Sequence, residues 1–153
     1  MGSALLKNIY LFKELTNSEL DQLSALANVE TYSSGDEVFA EGDDATSLFI
    51  IKYGSARIRR AGQEDGVDIA QLGTGGHFGE MSFVDGEARS ATVVALEKTE
   101  MVKVDFKDLS TYFESHPAAA VKFYRALSHF LCGRLRMTTM DLTFAREKNI
   151  RHF

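Results

Sequence analysis

The chain has 153 residues, of which 44% are hydrophobic and 25% charged, enough to form the core of one globular domain. No apolar run approaches the roughly 20 residues of a membrane span, and the start lacks the basic-then-apolar order of a secretory signal. The net charge of −5 argues against a nucleic-acid-binding surface. From these features together we expect a single domain over residues 1–153, with no membrane partner and no direct nucleic-acid partner.

The first part of the chain, residues 1–30, is predicted to be helical. Thr16 can cap a helix, and Glu19 can reach back to it in the capping-box pattern. Apolar residues follow at helical spacing, at Leu20, Leu23, Leu26 and Ala27.

The middle part, residues 31–105, has the pattern of short strands and turns. Ten of the twelve glycines lie between Gly35 and Gly86, among β-branched and aromatic runs. A polar hairpin tip is predicted from Gly62 to Gly66. Strands are predicted over 38–40, 48–53, 56–59, 67–72, 92–96 and 100–104. Short, evenly spaced strands predict an eight-stranded jelly-roll-like β-barrel.

The last part, residues 106–153, is predicted to be helical again, which makes the fold mainly β with flanking helices. A short amphipathic helix covers Phe106 to Ser115, and Pro117 suits the first turn of the next helix. That helix is predicted to run to about Ala145, a length of ~43 Å at 1.5 Å per residue. It is longer than one small barrel needs, so a homodimer is plausible through Leu127, Leu131, Leu135 and Leu142.

The stretch FGEMSFVDGEARSA, residues 78–91, holds the strongest chemical signal. A short helix starting near Gly79 would point unpaired N–H groups at an anion, and the guanidinium of Arg89 suits the same anion. Glu80 accepts hydrogen bonds only, so it suits a sugar hydroxyl. The set matches the sugar-phosphate of a nucleotide. An ordinary ion pair between Glu80 and Arg89 is the alternative that the residues leave open.

The same stretch, extended to FGEMSFVDGEARSATV, resembles the phosphate-binding cassette of cyclic nucleotide-binding domains. That cassette reads roughly F-G-E-[LIM]-[AGS]-L, a variable stretch, then R-[AST]-A, and Phe83 is the one departure. LFKELTNSELDQL, SGDEVFAEGDDATSLFIIKYGSARI and HPAAAVKFYRALSHFLCGRLR resemble the family's N-terminal helices, first strands and C-terminal helix. The chain thus resembles the sensor domains of the catabolite activator protein and of cyclic AMP-dependent kinase regulatory subunits.

The resemblance implies a role for each cassette residue. Gly79 and the amides around it would face the cyclic phosphate, Arg89 would pair with an exocyclic oxygen, and Glu80 would accept from the ribose 2′-hydroxyl. Further cassette contacts are predicted at Phe78, Met81, Ser82, Ser90 and Ala91. Ile69 and Leu72, with Met81, would line the apolar side of the base; as bare residues they are equally core positions.

An arginine interrupts the apolar face of the last helix. Arg134 falls inside the stripe formed by Ala120, Phe123, Tyr124, Leu127, Phe130, Leu131 and Leu135. Its stem can pack there with the head in solvent, or its guanidinium can cover a purine. By resemblance, Arg134 and Leu135 would contact the base, and ligand binding would draw this helix onto the barrel.

The resemblance also bears on the ligand and on the rest of the protein. Ser90 follows the cassette arginine where guanine-selective relatives often have threonine, so cyclic AMP is favoured over cyclic GMP. Family transcription factors continue into a helix-turn-helix domain, for which residues 146–153 are too few. We expect a regulatory sensor module that acts on a downstream effector domain or protein.

Two other classes of function compete with a sensor. An enzyme is disfavoured because no HxH or HxD motif suggests a metal, and we read the histidines as surface or partly packed residues: His77, His116, His129 and His152. The single cysteine, Cys132, rules out an internal disulfide and fits a reducing cytoplasm. The alternative is a degenerate family member that binds no nucleotide and serves as a dimerisation or interaction domain.

Overall fold

The eight strands form two antiparallel sheets in a computed structural model that describes residues 4–61 and 67–151. The hairpin tip predicted from Gly62 to Gly66 lies outside the described residues. One sheet has the order β1 (Asn28–Tyr32), β8 (Thr99–Asp105), β3 (Ser47–Tyr53), β6 (His77–Phe78). The other has the order β2 (Glu37–Phe39), β7 (Thr92–Ala95), β4 (Ala56–Arg60), β5 (Val67–Leu72). This order is that of a jelly roll, which confirms the predicted fold class.

The sheets differ from the prediction in one respect: they face each other as a sandwich and do not close into a barrel. Apolar side chains from both sheets meet between them, for example Phe39 of the second sheet and Phe78 of the first, at 5.8 Å between ring centroids. Two strands, β1 and β6, were not predicted from the sequence. β1 begins inside the segment predicted to be helical, which ended at residue 30, and its Val29 is 45% exposed, while β6 is two residues long.

The helices flank the first sheet. They are α1 (Ala4–Lys7), a 3₁₀ turn (Tyr10–Phe12), α2 (Asn17–Ser24), α3 (Glu80–Asp85), α4 (Phe106–Ser115) and α5 (Pro117–Arg151). The capping box at the start of α2 is confirmed, because the Thr16 hydroxyl accepts from Glu19 N–H and the Glu19 carboxylate accepts from Thr16 N–H. The bounds of α4 match the prediction, and α5 continues past the predicted end at Ala145.

The long helix α5 has two unlike parts. Its first part is seated on the outer face of the first sheet, where Ala119, Phe123 and Leu127 are buried in one core with α1, α2 and α4. From Cys132 to Glu147 every side chain is exposed. Within 4–61 and 67–151, no helix is both long enough and apolar enough to span a bilayer.

Candidate functional site

The 78–91 segment connects the two sheets, with α3 between β6 and β7. Gly79 begins α3 in the left-handed region, at φ 88°, where a side chain is strained. A Cβ there would lie 2.6 Å from Nη1 of Arg89 and 3.1 Å from the carbonyl oxygen of Ser47. Only glycine therefore lets the start of α3 lie against the guanidinium.

The guanidinium of Arg89 is buried and held from several sides. Nη2 donates to the carbonyl of Ser47 at 2.6 Å, and Nη1 donates to the carbonyl of Gly79 at 3.3 Å. Cζ lies 4.0 Å from the ring centroid of Phe39, a cation–π distance. The main chain is fixed as well, because Arg89 N–H donates to the carbonyl of Asp43 at 2.8 Å. The sheet and the turn thus fix the position of this side chain.

Burial leaves the charge of Arg89 undercompensated. Desolvation lowers the pKa of Arg89, and the negative charges of Asp43 and Glu80 oppose that effect. A guanidinium nevertheless stays charged in proteins. Nε is buried and has no hydrogen-bond partner among the residues that the structure describes. A buried cation with an unused donor is suited to an anion that brings its own acceptors.

The carboxylate of Glu80 is also buried, at 7% exposure of the residue, in the first turn of α3. Its Oε1 lies 3.4 Å from Nδ1 of His77. Its Oε2 is buried without a hydrogen-bond partner in the described part of the chain. A carboxylate oxygen can only accept, so Oε2 suits a hydroxyl donor.

Glu80 and Arg89 do not form the ordinary ion pair that the sequence left open. Within residues 4–61 and 67–151, Oε1 of Glu80 lies near the imidazole of His77, whereas Nη1 and Nη2 of Arg89 donate to main-chain carbonyls. The two side chains line one cleft instead. Each side chain keeps a buried polar atom without a partner in the described residues, an arrangement suited to a ligand that carries both an anion and a hydroxyl.

Nine of the twelve predicted site residues line this cleft, termed here the cassette cleft. They are Phe78, Gly79, Glu80, Met81, Ser82, Arg89, Ser90, Ala91 and Arg134. The structure also adds four residues that sequence reasoning did not assign to the site: Phe39, Ile58, His77 and Val93. Phe39 and Ile58 come from strands distant in sequence, so only the sheet topology places them here, whereas Val93 follows the 78–91 segment by two residues.

Three predicted site residues do not line the cassette cleft. Ile69 is 47% exposed on β5, and Leu72 packs partly buried against the core between the sheets. Leu135 is 67% exposed and lies beside Met140 on another face of α5. Leu135 therefore does not accompany Arg134 at the cleft, contrary to the prediction that both would contact the base.

Arg134 is exposed and reaches the cassette cleft from α5. Its Cζ lies 5.8 Å from the ring centroid of Phe130, so the guanidinium lies over this ring at the outer limit of a cation–π contact. Phe130 in turn packs on His77, with 4.6 Å between centroids. The long helix and the cassette therefore meet at one place.

The histidines differ from their predicted surface or partly packed state at one position. His77 is buried, at 8% exposure, whereas His129 is exposed and His116 is partly buried. His152 lies outside the described residues. No group of three or more His, Cys, Asp or Glu side chains within 4–61 and 67–151 is placed to hold a metal ion.

Comparison with known proteins gives this geometry a family context. A model of the cyclic nucleotide-binding domain matches residues 29–116, more than half of the chain, and includes the whole 78–91 segment. The matched residues end at His116, before the part of α5 that carries Arg134.

Individual relatives agree with the family match. Glutaminase 1 of Bradyrhizobium diazoefficiens is 34% identical over 125 residues, 82% of this chain and 20% of that protein. The cyclic AMP receptor protein of Thermus thermophilus is 32% identical over 140 residues, 90% of this chain and 62% of that protein. The crystal structure of the Thermus thermophilus catabolite activator protein matches with a TM-score of 0.78 at 29% identity, over 88% of this chain and 62% of that chain. The chain thus spans less than two thirds of each.

Proposed function

We propose that this chain, which belongs to the cyclic nucleotide-binding domain family, binds a cyclic purine nucleotide in the cassette cleft and serves as a regulatory sensor. One observation carries the proposal. Glu80 and Arg89 are both buried in a single cleft, and each keeps a buried polar atom, Oε2 or Nε, without a partner in the described residues. Buried polar atoms are ordinarily paired, so these two are suited to a ligand.

The cyclic phosphate would bind to Arg89. Two of its five N–H donors bond to carbonyls, and Nε remains for a phosphate oxygen. The positive φ of Gly79 and its close approach to the guanidinium bring the first amides of α3 to the same place. The pair of charges is buried, so the phosphate's remaining oxygens need those neighbouring donors.

The ribose would bind to Glu80. Its Oε2 is an acceptor without a donor, and a 2′-hydroxyl supplies one. His77 already occupies the side of Oε1. A cyclic nucleotide joins phosphate and 2′-hydroxyl at a fixed separation, so one ligand engages both buried charges.

The base would lie towards α5, where Arg134 covers it. The guanidinium can stack on a purine and donate to its edge. We favour cyclic AMP over cyclic GMP, since Ser90 stands where guanine-selective relatives often carry threonine and one relative is a cyclic AMP receptor protein.

The outer part of α5, residues 132–147, would respond to nucleotide binding in the cassette cleft. Arg134 lies just beyond the buried seat of this helix, in a stretch where all side chains are exposed. A contact between Arg134 and the base would draw this stretch towards the cassette cleft. The resulting shift is bounded by the ligand's difference in affinity for the two helix positions.

The outer part of α5 would also contact other protein chains. It exposes large apolar side chains at Leu135, Met137, Met140, Leu142 and Phe144. Homodimerisation through this surface and contact with a downstream effector are the interactions we propose. Leu127 from the predicted dimer surface is buried in the core and is not available.

Thermal unfolding with added nucleotide tests the proposal. A ligand at 100 times its Kd stabilises the folded state by about 2.7 kcal/mol, which for a chain of this size raises the Tm by about 5–10 °C. We expect a saturable rise with cyclic AMP, a smaller one with cyclic GMP at equal concentration, and the least with 5′-AMP, whose phosphate is not closed onto the ribose. No rise with either cyclic nucleotide would overturn the proposal in favour of an interaction domain that binds none.

A further inference from the structure

The imidazole of His77 is a buried polar group to which the proposed function assigns no ligand contact. His77 lies on β6, where it pairs with Ile50 of β3, and it directly precedes Phe78 and the cassette glycine. Its side chain is 6% exposed. Nδ1 has no hydrogen-bond partner within the described ranges. A buried group of this kind calls for a role.

A neighbouring carboxylate suggests that role. Nδ1 of His77 lies 3.4 Å from Oε1 of Glu80, three residues on, and both side chains are buried. The distance is longer than a good N–H···O bond, so the two atoms are poised and not yet bonded. Either the neutral Nδ1–H tautomer or the imidazolium presents a donor to Oε1. That donor holds one carboxylate oxygen and leaves Oε2 as the acceptor in the cleft.

The ring of His77 is fixed from its other side by α5. It packs against Phe130 at 4.6 Å between centroids, with a 56° angle between the rings. Phe130 also packs on Tyr10 at 6.0 Å, and Tyr10 hydroxyl bonds to Nδ1 of His129 at 2.8 Å. The imidazole is therefore set between the cassette and the seat of the long helix.

We propose that His77 is a positioning residue that orients Glu80 towards the ribose 2′-hydroxyl and so makes the cleft specific for ribonucleotides. The inference rests on the proposed function. A buried carboxylate beside a donor keeps its orientation, whereas one without a donor can reorient. A binding group held by a second residue in this way is more selective than a free one.

Two ligands that differ by one hydroxyl test the inference. Affinities of cyclic AMP and 2′-deoxy cyclic AMP are measured by calorimetry for the wild type and three variants. His77→Phe keeps a ring against Phe130 and removes the donor, His77→Leu removes it with a different shape, and His77→Asn returns an amide N–H near the position of Nδ1. If cyclic GMP is the tighter ligand, the corresponding guanine pair is used.

We expect His77→Phe to weaken cyclic AMP by about tenfold, the value of a hydrogen bond to a charged group, and to leave 2′-deoxy cyclic AMP within about twofold of the wild type. His77→Asn should recover most of the preference for the ribose form. His77→Leu gives the same comparison should the phenylalanine variant not fold.

The outcomes separate failure of the inference from failure of the proposed function. Equal weakening of both ligands would assign His77 a merely structural role. If the wild type binds both ligands equally, the proposed contact between Glu80 and the 2′-hydroxyl is wrong, and the inference fails, while nucleotide binding itself stands. A wild type that binds neither would overturn the proposed function itself, and with it the inference.

Discussion

The cassette, residues 78–91, and the outer part of α5, residues 132–147, meet at one cleft but are built in opposite ways. In the cassette, Glu80 and Arg89 are buried and aimed by main-chain carbonyls, a ring and a glycine turn. In the outer helix every side chain is exposed, including Arg134. The cassette is held in place by packing and hydrogen bonds, whereas the outer helix buries no side chain.

This difference indicates where binding energy and where signalling would reside. A buried charge whose neighbours are fixed contributes strongly to affinity, because its removal leaves a desolvated partner. An exposed side chain contributes less affinity, but its new contacts change the position of the element that carries it. Substitutions in the two regions should therefore have effects of different kind as well as different size.

The largest expected effect belongs to Arg89. Arg89→Glu removes the cation and places a like charge against the phosphate, so we expect cyclic AMP affinity to fall by at least about a hundredfold. The measurement is calorimetry on protein checked for folding by circular dichroism. The check matters because the carbonyls of Ser47 and Gly79 lose their donor as well.

Arg136→Glu provides the matched control for this charge reversal. Arg136 is exposed on α5 and does not line the cassette cleft. Its reversal should leave the affinity within about threefold, as expected for an exposed charge. Equal affinity for the Arg89→Glu protein and the wild type would contradict the site.

Glu80→Ala should have the next largest effect. It removes a hydrogen bond from a hydroxyl to a carboxylate, so we expect a loss of about tenfold in affinity for cyclic AMP. The loss should be smaller than for Arg89→Glu, since the phosphate contact is kept. A loss as large as that of Arg89→Glu would show that the cassette collapses without Glu80, which contradicts a preformed site.

Arg134→Ala should affect the helix more than the affinity. We expect a two- to fivefold loss of affinity, about the value of one exposed cation–π contact. Hydrogen exchange of residues 125–145 should slow when cyclic AMP binds the wild type, and slow much less in the variant. Arg136→Ala is the control on the same helix. Exchange that is unchanged by ligand in the wild type would remove the proposed helix response.

The smallest expected effect is on stability, at the contact between the first part of α5 and α2. Lys122 of α5 contacts Glu19 of α2 at 2.9 Å. Burial raises the pKa of Glu19, but hydrogen bonds from Thr16 and Lys122 outweigh it and hold the pKa below its usual value. Glu19→Gln keeps the helix cap and removes the ion pair, so it should lower the free energy of unfolding by about 0.5–1 kcal/mol near neutral pH.

The pH dependence of that difference has a definite sign. A carboxyl whose folded pKa is lowered stabilises the protein above its unfolded pKa, and the stabilisation disappears as the pH falls through the folded pKa. Urea unfolding of both proteins between about pH 7 and pH 3 should therefore show the difference narrowing below the normal glutamate pKa. A difference that does not change over this range would exclude the ion pair as its source.

Local signals account for the parts of the fold that the sequence predicted well. The Thr16–Glu19 capping box and the helix over Phe106–Ser115 depend on neighbouring residues, and both are present. The open sandwich depends on pairings between distant strands, which the strand pattern does not encode. Likewise β6 has two residues, too few for any alternation to appear.

The site divides in the same manner. Glu80 and Arg89 lie in a contiguous motif, and the structure brings both to one cleft. The carbonyl of Ser47 that receives Arg89 is 42 positions away in the chain, and Phe39 is further still. Among the site residues that sequence reasoning missed, His77 had a local signal, because it lies three residues before Glu80. Only the structure shows that the two buried side chains lie 3.4 Å apart.

A crystal structure of the protein with cyclic AMP tests the central claim most directly. We expect the cyclic phosphate on Arg89, the ribose 2′-hydroxyl on Oε2 of Glu80 and the adenine under Arg134, with the cassette main chain unchanged. A nucleotide bound away from Glu80 and Arg89, or none under saturating cyclic AMP, would contradict the assignment of the cassette cleft.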